Sequence, residues 1–201
     1  MTRRGFFLGL GFLLLWTFFV CYPNPLDLGK SIYRLFNHPV DEVAVAEVFE
    51  DLPESPTEIE NFIKSAIPYS HDWKTYGKPW YFPNAKEALL MGKGDCKTRF
   101  IVLASVFEFL DIPYKTVFSP THIWVEYEKK RPTDRENHKT AMIIADKERR
   151  SFKLPKIDVE HKRESFRLAF LDPVPLDKKI FLYQGLFFSL LVIYIERRVE
   201  Q

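Results

Sequence analysis

The sequence predicts a domain of mixed helices and strands, carried between two membrane-spanning helices at the chain ends. Three observations point there. The apolar runs at 5–22 and 180–195 contain no charged residue. Between them, Phe100, Leu103, Ala104 and Phe107 repeat at the i, i+3, i+4, i+7 spacing of a helix packed along one side. After Pro113 come short β-type stretches at 114–118, 122–127 and 140–146.

The first run follows Arg3 and Arg4 and has eighteen residues. At ~1.5 Å each they reach roughly 27 Å, close to the thickness of a bilayer core. A cleaved signal peptide has the same order of charge then apolar core. However, Phe18, Phe19, Val20 and Tyr22 leave no small-x-small cleavage site, and the run is longer than a usual signal core. An uncleaved anchor over 1–22 is preferred. The second run has sixteen residues between Lys178-Lys179 and Arg197-Arg198, and flanking Lys and Arg can snorkel to extend a short span. Its apolar residues go all round, unlike the single stripe of a surface helix. Tyr183 and Tyr194 suit the two interfaces.

The chain therefore divides into an anchor at 1–22, a middle domain at 23–178, and a C-terminal helix and tail at 179–201. Two spans put both termini on one side. Arg3, Arg4, Arg197 and Arg198 argue that this side is the inner one, against the lesser weight of Lys30, Arg34, Lys178 and Lys179. The middle domain is placed outside the cytoplasm.

Within that domain, Pro23-Asn24-Pro25 breaks the first span. A short helix is predicted over 41–49. Ser55-Pro56-Thr57-Glu58 has a capping serine, proline at the first helical position and glutamate three on, so a helix should run to about residue 66. Residues 69–84 are aromatic and turn-rich and read as an ordered surface segment or cleft wall. Pro83-Asn84 opens a short helix ended by Gly92 and Gly94. Asp95 then caps the main helix, which Pro113 stops. The charged stretch 128–139 is a loop, and further strands are expected near 151–154 and 165–171.

Composition narrows the function classes. A formal charge of +2 with 28% charged residues leaves no basic footprint for nucleic acid. Of the two cysteines, Cys21 lies in the first apolar run, so the middle domain holds a single thiol and no internal disulfide. His38, His71, His138 and His161 lack metal-ligand spacing, and the acids at 47–60 lack the alternation of a calcium loop. No metal or cofactor is expected.

Cys96 opens the main helix and His122 opens the strand that follows, the raw materials of a thiol nucleophile and its base. A helix N-terminus favours a thiolate. Lys97 and Arg99 add positive charge there, and Asp95 opposes it. Gly92-Lys93-Gly94 would let backbone amides approach a developing oxyanion. If the 128–139 loop closes a hairpin about its own middle, His122 falls opposite Ala145 or Asp146, whose carboxylate could hold the imidazole.

Gly92-Lys93-Gly94-Asp95-Cys96, then Thr121-His122-Ile123-Trp124-Val125-Glu126, then an aspartate one strand later, resembles the transglutaminase-like superfamily across residues 79–146. The resemblance implies a papain-like α+β core with the nucleophile at a helix start packed on an antiparallel sheet. It implies a Cys-His-Asp triad of Cys96, His122 and Asp146. Asp172, which precedes Pro173, is the alternative third member, and Trp80 or Trp73 the side-chain oxyanion donor. The expected activity is thiol acyl transfer on a peptide or carboxamide, with hydrolysis ahead of cross-linking because water needs no second site. The expected partners are a protein or peptide substrate and the lipid membrane. The superfamily also includes inactive relatives, so a binding domain or a two-span scaffold is the alternative.

Overall fold

Small residues decide how the two terminal helices meet. The computed structural model describes residues 3–134, 136–146, 149–153, 167 and 172–199. Helices α1 (Arg3–Cys21) and α8 (Leu176–Val199) run antiparallel. Arg4 lies 3.9 Å from Glu196 at one end, the Ser189 hydroxyl donates to the Gly9 carbonyl at 2.7 Å, and Lys178 Nζ donates to the Val20 carbonyl at 3.2 Å. Gly5, Gly9, Gly185 and Ser189 are the buried positions of the pair. A Cβ on Gly9 would sit 2.5 Å from Ile193, and one on Gly185 2.2 Å from Trp16, so the backbones approach where side chains are absent. The large apolar side chains turn outward, with Leu14 and Phe187 62% and 63% exposed. Both helices are long and apolar enough to cross a membrane.

Between them lies a mixed helical and β region. Helix α2 (Leu26–Phe36), not expected from the sequence pattern, starts directly after Pro25. Asp41 caps α3 (Glu42–Ala46), and Ser55 caps α4 (Pro56–Ala66) by accepting from the Glu58 amide. A single turn, α5 (Asp72–Thr75), interrupts the aromatic segment. Asn84 and Glu87 form a reciprocal capping box on α6 (Ala85–Met91), which ends at Gly92 with φ +57°, a left-handed conformation that favours glycine.

Helix α7 (Cys96–Phe109) is the centre of the domain. The expected single apolar stripe is exceeded, because residues 100–107 are all buried. Helices α3, α4 and α6 pack around it and β2 covers another side, so no face is left for water.

The sheet comprises β1 (Lys115–Phe118), β2 (Ile123–Glu126), β3 (Ile143–Ala145) and β4 (Arg150–Phe152), all antiparallel, in the order β2-β1-β3-β4. A 3-10 turn, His138–Thr140, precedes β3. This order overturns the expected pairing of β2 with β3, since β1 lies between them. The cause is local. The Ser119 amide donates to the His122 carbonyl at 2.8 Å, closing a tight β1–β2 hairpin, and the longer 127–142 connection then carries the chain to the far edge of β1. Ile123, Val125 and Tyr127 pack in the main core with α7, while Trp124 packs with Val117 and Ala141 in a second cluster. The strand expected at 165–171 lies, apart from residue 167, outside the described residues.

Candidate active site

The start of α7 is fixed by its own approach segment. The Gly94 amide donates to the Pro68 carbonyl at 3.1 Å, and the Ser70 amide donates to the Gly94 carbonyl at 2.9 Å. A Cβ on Gly94 would lie 2.2 Å from Thr98 Oγ1, so only glycine lets the chain turn this closely into the helix. The Gly94 amide is therefore engaged by Pro68.

Cys96, the first residue of α7, lines a cavity of about 310 Å³ together with His122, Tyr69, Arg99 and Trp124. The Ile123 backbone, one residue beyond His122, hydrogen-bonds to the sulfur. His122 is set by the hairpin turn, its amide donating to Ser119 Oγ at 3.1 Å. Its ring stacks on Trp124 with centroids 5.6 Å apart and planes 19° from parallel. The Trp124 indole donates to Glu126 Oε2 at 3.2 Å, and His138 Nε2 lies 3.2 Å from the same oxygen.

Electrostatics around the sulfur differ from the expected thiolate-favouring setting. Burial pushes the Cys96 thiol up to about 11, and the Asp95 carboxylate adds to the rise; Lys97 and the Ile123 hydrogen bond oppose it. Lys97 does not turn toward the cavity. Its ammonium, 8% exposed, sits between Asp95 Oδ2 and Asp72 Oδ2, the latter at 2.9 Å. Asp72 also accepts from the Tyr81 amide at 2.8 Å. Two carboxylates about one ammonium leave a net negative charge, and burial pushes the Asp72 carboxyl up despite Lys97. Burial works against the Lys97 ammonium too, but Asp95 and Asp72 outweigh it and hold that group above its usual range. Arg99 spends its guanidinium on the end of α4, donating to the Ile67 and Lys64 carbonyls at 2.9 and 3.2 Å.

Asp146 stands elsewhere. It follows Ala145, which pairs with Thr116, and so falls at the sheet end marked by Lys115 and Glu126. His122 lies beyond the opposite end of β2, roughly 16 Å away by strand rise and spacing. Asp146 closes the β3–β4 turn, accepting from the Arg149 amide at 2.7 Å and donating its own amide to the Arg149 carbonyl at 2.9 Å. Asp172 is exposed, with Oδ2 3.7 Å from Arg167. Neither aspartate lines the Cys96 cavity, and neither do Trp73 or Trp80. The Trp80 ring instead faces Lys97 Nζ at 5.9 Å, and its carbonyl accepts from the Tyr22 hydroxyl at 3.0 Å.

The cavity's own carboxylates, Glu60 and Glu136, were not anticipated from sequence. Both bind the buried Lys130, at 3.2 and 2.8 Å, and Glu60 also meets Lys64 at 2.8 Å and the Tyr127 hydroxyl at 2.7 Å. Nothing in the local pattern flags them, because the charged stretch containing Lys130 and Glu136 looks like any solvated loop. In comparison with known proteins, the chain matches no family model, no curated sequence and no solved structure, so its family is not fixed by likeness.

Proposed function

We propose that the chain is a membrane-anchored thiol enzyme of the transglutaminase-like kind, in which Cys96 attacks a peptide or carboxamide carbonyl. The observation that carries this is the convergence of Cys96, at the first position of a buried helix, and His122 on one cavity. In the proposed cycle the thiol proton passes to the His122 imidazole as the sulfur–carbon bond forms. The imidazolium then protonates the departing amine, leaving a thioester. Water attacks the thioester, His122 takes its proton, and cleavage of the carbon–sulfur bond returns a proton to Cys96 and releases the acid. Because the resting thiol is held neutral, proton transfer accompanies attack rather than preceding it. The proposal rests the orientation of His122 on the stacked Trp124, whose indole is held by Glu126. The anchor would be α1 and α8 as two spans, with the middle domain outside the cytoplasm.

A second reading, a non-catalytic binding domain on the same core, is favoured by the raised Cys96 thiol and by the absence of Asp146 and Asp172 from the cavity lining. The full chain in detergent micelles, mixed with p-nitrophenyl acetate, separates the two. The enzyme reading expects a burst of p-nitrophenol and an acetyl group on Cys96 by peptide mass. The burst should vanish in Cys96→Ala and slow about a hundredfold in His122→Ala. Acylation that ignores His122, or no acylation of Cys96, supports the binding domain.

A further inference from the structure

Helix α2 turns most of its apolar side chains away from the domain. Ile32, Phe36, Gly29, Tyr33 and Leu26 follow one another around it within about 120°, and all five are exposed. Leu26 and Tyr33 are 66% and 67% exposed, Ile32 and Phe36 both 47%. Lys30 alone, at the rim of this arc, carries charge. The opposite face, turned into the domain, holds Asp27, Ser31 and Arg34 together with Leu35, which packs against the main core.

That orientation is locked. Arg34 Nη1 donates to Glu87 at 2.7 Å and to the Phe82 carbonyl at 3.1 Å. Ser31 Oγ accepts from the Phe82 amide at 3.1 Å, and Asp27 meets Lys78 at 3.0 Å. Rotating the apolar arc inward would break all of these, so the arc must find cover outside the domain.

Chain continuity says what the cover is. Leu26 begins α2 five residues after Cys21 ends α1, and the Tyr22 hydroxyl ties that junction to the Trp80 carbonyl. A helix emerging beside the end of a span, with an aromatic on its apolar arc and a lysine at the rim, has the pattern of one lying in the headgroup–acyl boundary. We propose that α2 is an interfacial helix whose Leu26, Ile32, Tyr33 and Phe36 are immersed in the bilayer surface. The domain is thereby laid against the lipid instead of swinging on its anchors. The proposal rests on α1 and α8 crossing the membrane.

The test uses the full chain with Cys21→Ala and Cys96→Ala, carrying one new fluorophore site at a time: Leu14→Cys, Ile32→Cys, Tyr33→Cys, Phe36→Cys or Glu128→Cys. Each is reconstituted in phosphatidylcholine–phosphatidylglycerol vesicles containing nitroxide lipids. The three α2 sites should be quenched at least about twofold more than position 128, and most by nitroxides placed near the headgroup. Three sites on one arc keep a single misfolded variant from deciding the result. Quenching at 14 with none at 32, 33 and 36 overturns the interfacial helix alone. Dry, blue-shifted α2 labels that lipid nitroxides do not quench overturn it in favour of a protein partner or a second copy. No quenching at 14 defeats the spanning reading itself, and this proposal with it.

Discussion

Replacing Lys97 by methionine should unfold the site from beneath. The ammonium is 8% exposed and bridges Asp72 and Asp95, whose side chains are 3% and 13% exposed. Methionine fills much of the volume but leaves two buried carboxylates without their cation. Removing one partner of a buried pair costs about 3–5 kcal/mol, a large share of the ~5–15 kcal/mol that stabilises a typical protein. At roughly 2–4 °C per kcal/mol for a chain of this size, the melting temperature should fall ~6–20 °C at pH 7. The pH dependence makes the test specific. A carboxyl whose folded pKa is raised, as burial raises that of Asp72 above 3.8, contributes stability present below the unfolded value and lost as pH rises through the folded one. Losing Lys97 raises that carboxyl further and enlarges the loss. The gap between wild type and Lys97→Met should therefore be widest near pH 7 and narrow toward pH 4. Melting followed by tryptophan fluorescence, with the full chain in micelles, reads both quantities. A drop below about 2 °C, or one of equal size at pH 4.5 and 7, refutes the argument that Lys97 is held by two buried carboxylates.

Three further expectations concern neighbouring features. With its thiol pushed up to about 11, Cys96 should react with iodoacetamide at a rate still climbing at alkaline pH, and Asp95→Asn, which keeps a capping side chain, should move that profile to lower pH; an unchanged profile would exclude Asp95 as a cause. Although burial pushes the Glu60 carboxyl up, Lys64, Tyr127 and Lys130 outweigh it and hold it below 4.5, so its contribution to stability is present above that pH and fades as acid titrates the folded form. Glu60→Gln should cost about 2–3 kcal/mol by leaving Lys130 with Glu136 alone, and it should flatten the acid limb of the melting curve. Finally, Gly185→Leu places a side chain where even a Cβ would clash with the Trp16 ring. It should loosen the α1–α8 pair by about 1–3 kcal/mol, seen as lower yield of a cysteine cross-link between the two helices.

Much of the fold was legible because its signals are local. Ser55 with Pro56, Asn84 with Glu87, and Asp95 each start a helix where their side chains can satisfy the first amides. The terminal helices were legible from length and lack of charge; α8 extends a turn beyond its apolar run at each end, and α1 starts two residues before its own. Helix α2 was not, because its outward apolar arc copies the pattern of an inward one and only tertiary bonds such as Arg34–Glu87 reveal which way it faces. Strand order failed for a related reason. The strands were visible in the sequence but not the tight turn at Ser119 and His122 that pairs β1 with β2, and that pairing sets Asp146 apart from His122. Asp72 and Glu60, the second partners of Lys97 and Lys130, are distant in sequence, and no spacing rule finds them.

The antiparallel seam of α1 and α8 has a consequence for a severed chain. The loop at 127–142 joins an N-terminal piece, which owns α1 and α7, to a C-terminal piece, which owns β3, β4 and α8. Each piece keeps one half of the seam closed by Ser189 and Gly9. A cut in that loop therefore leaves two fragments still clasped at their far ends, so re-docking β3 onto β1 would involve the entropy of an internal loop closure and not of a free encounter. The chain ends act as a clasp that lets the domain tolerate a break in the connection between β2 and β3.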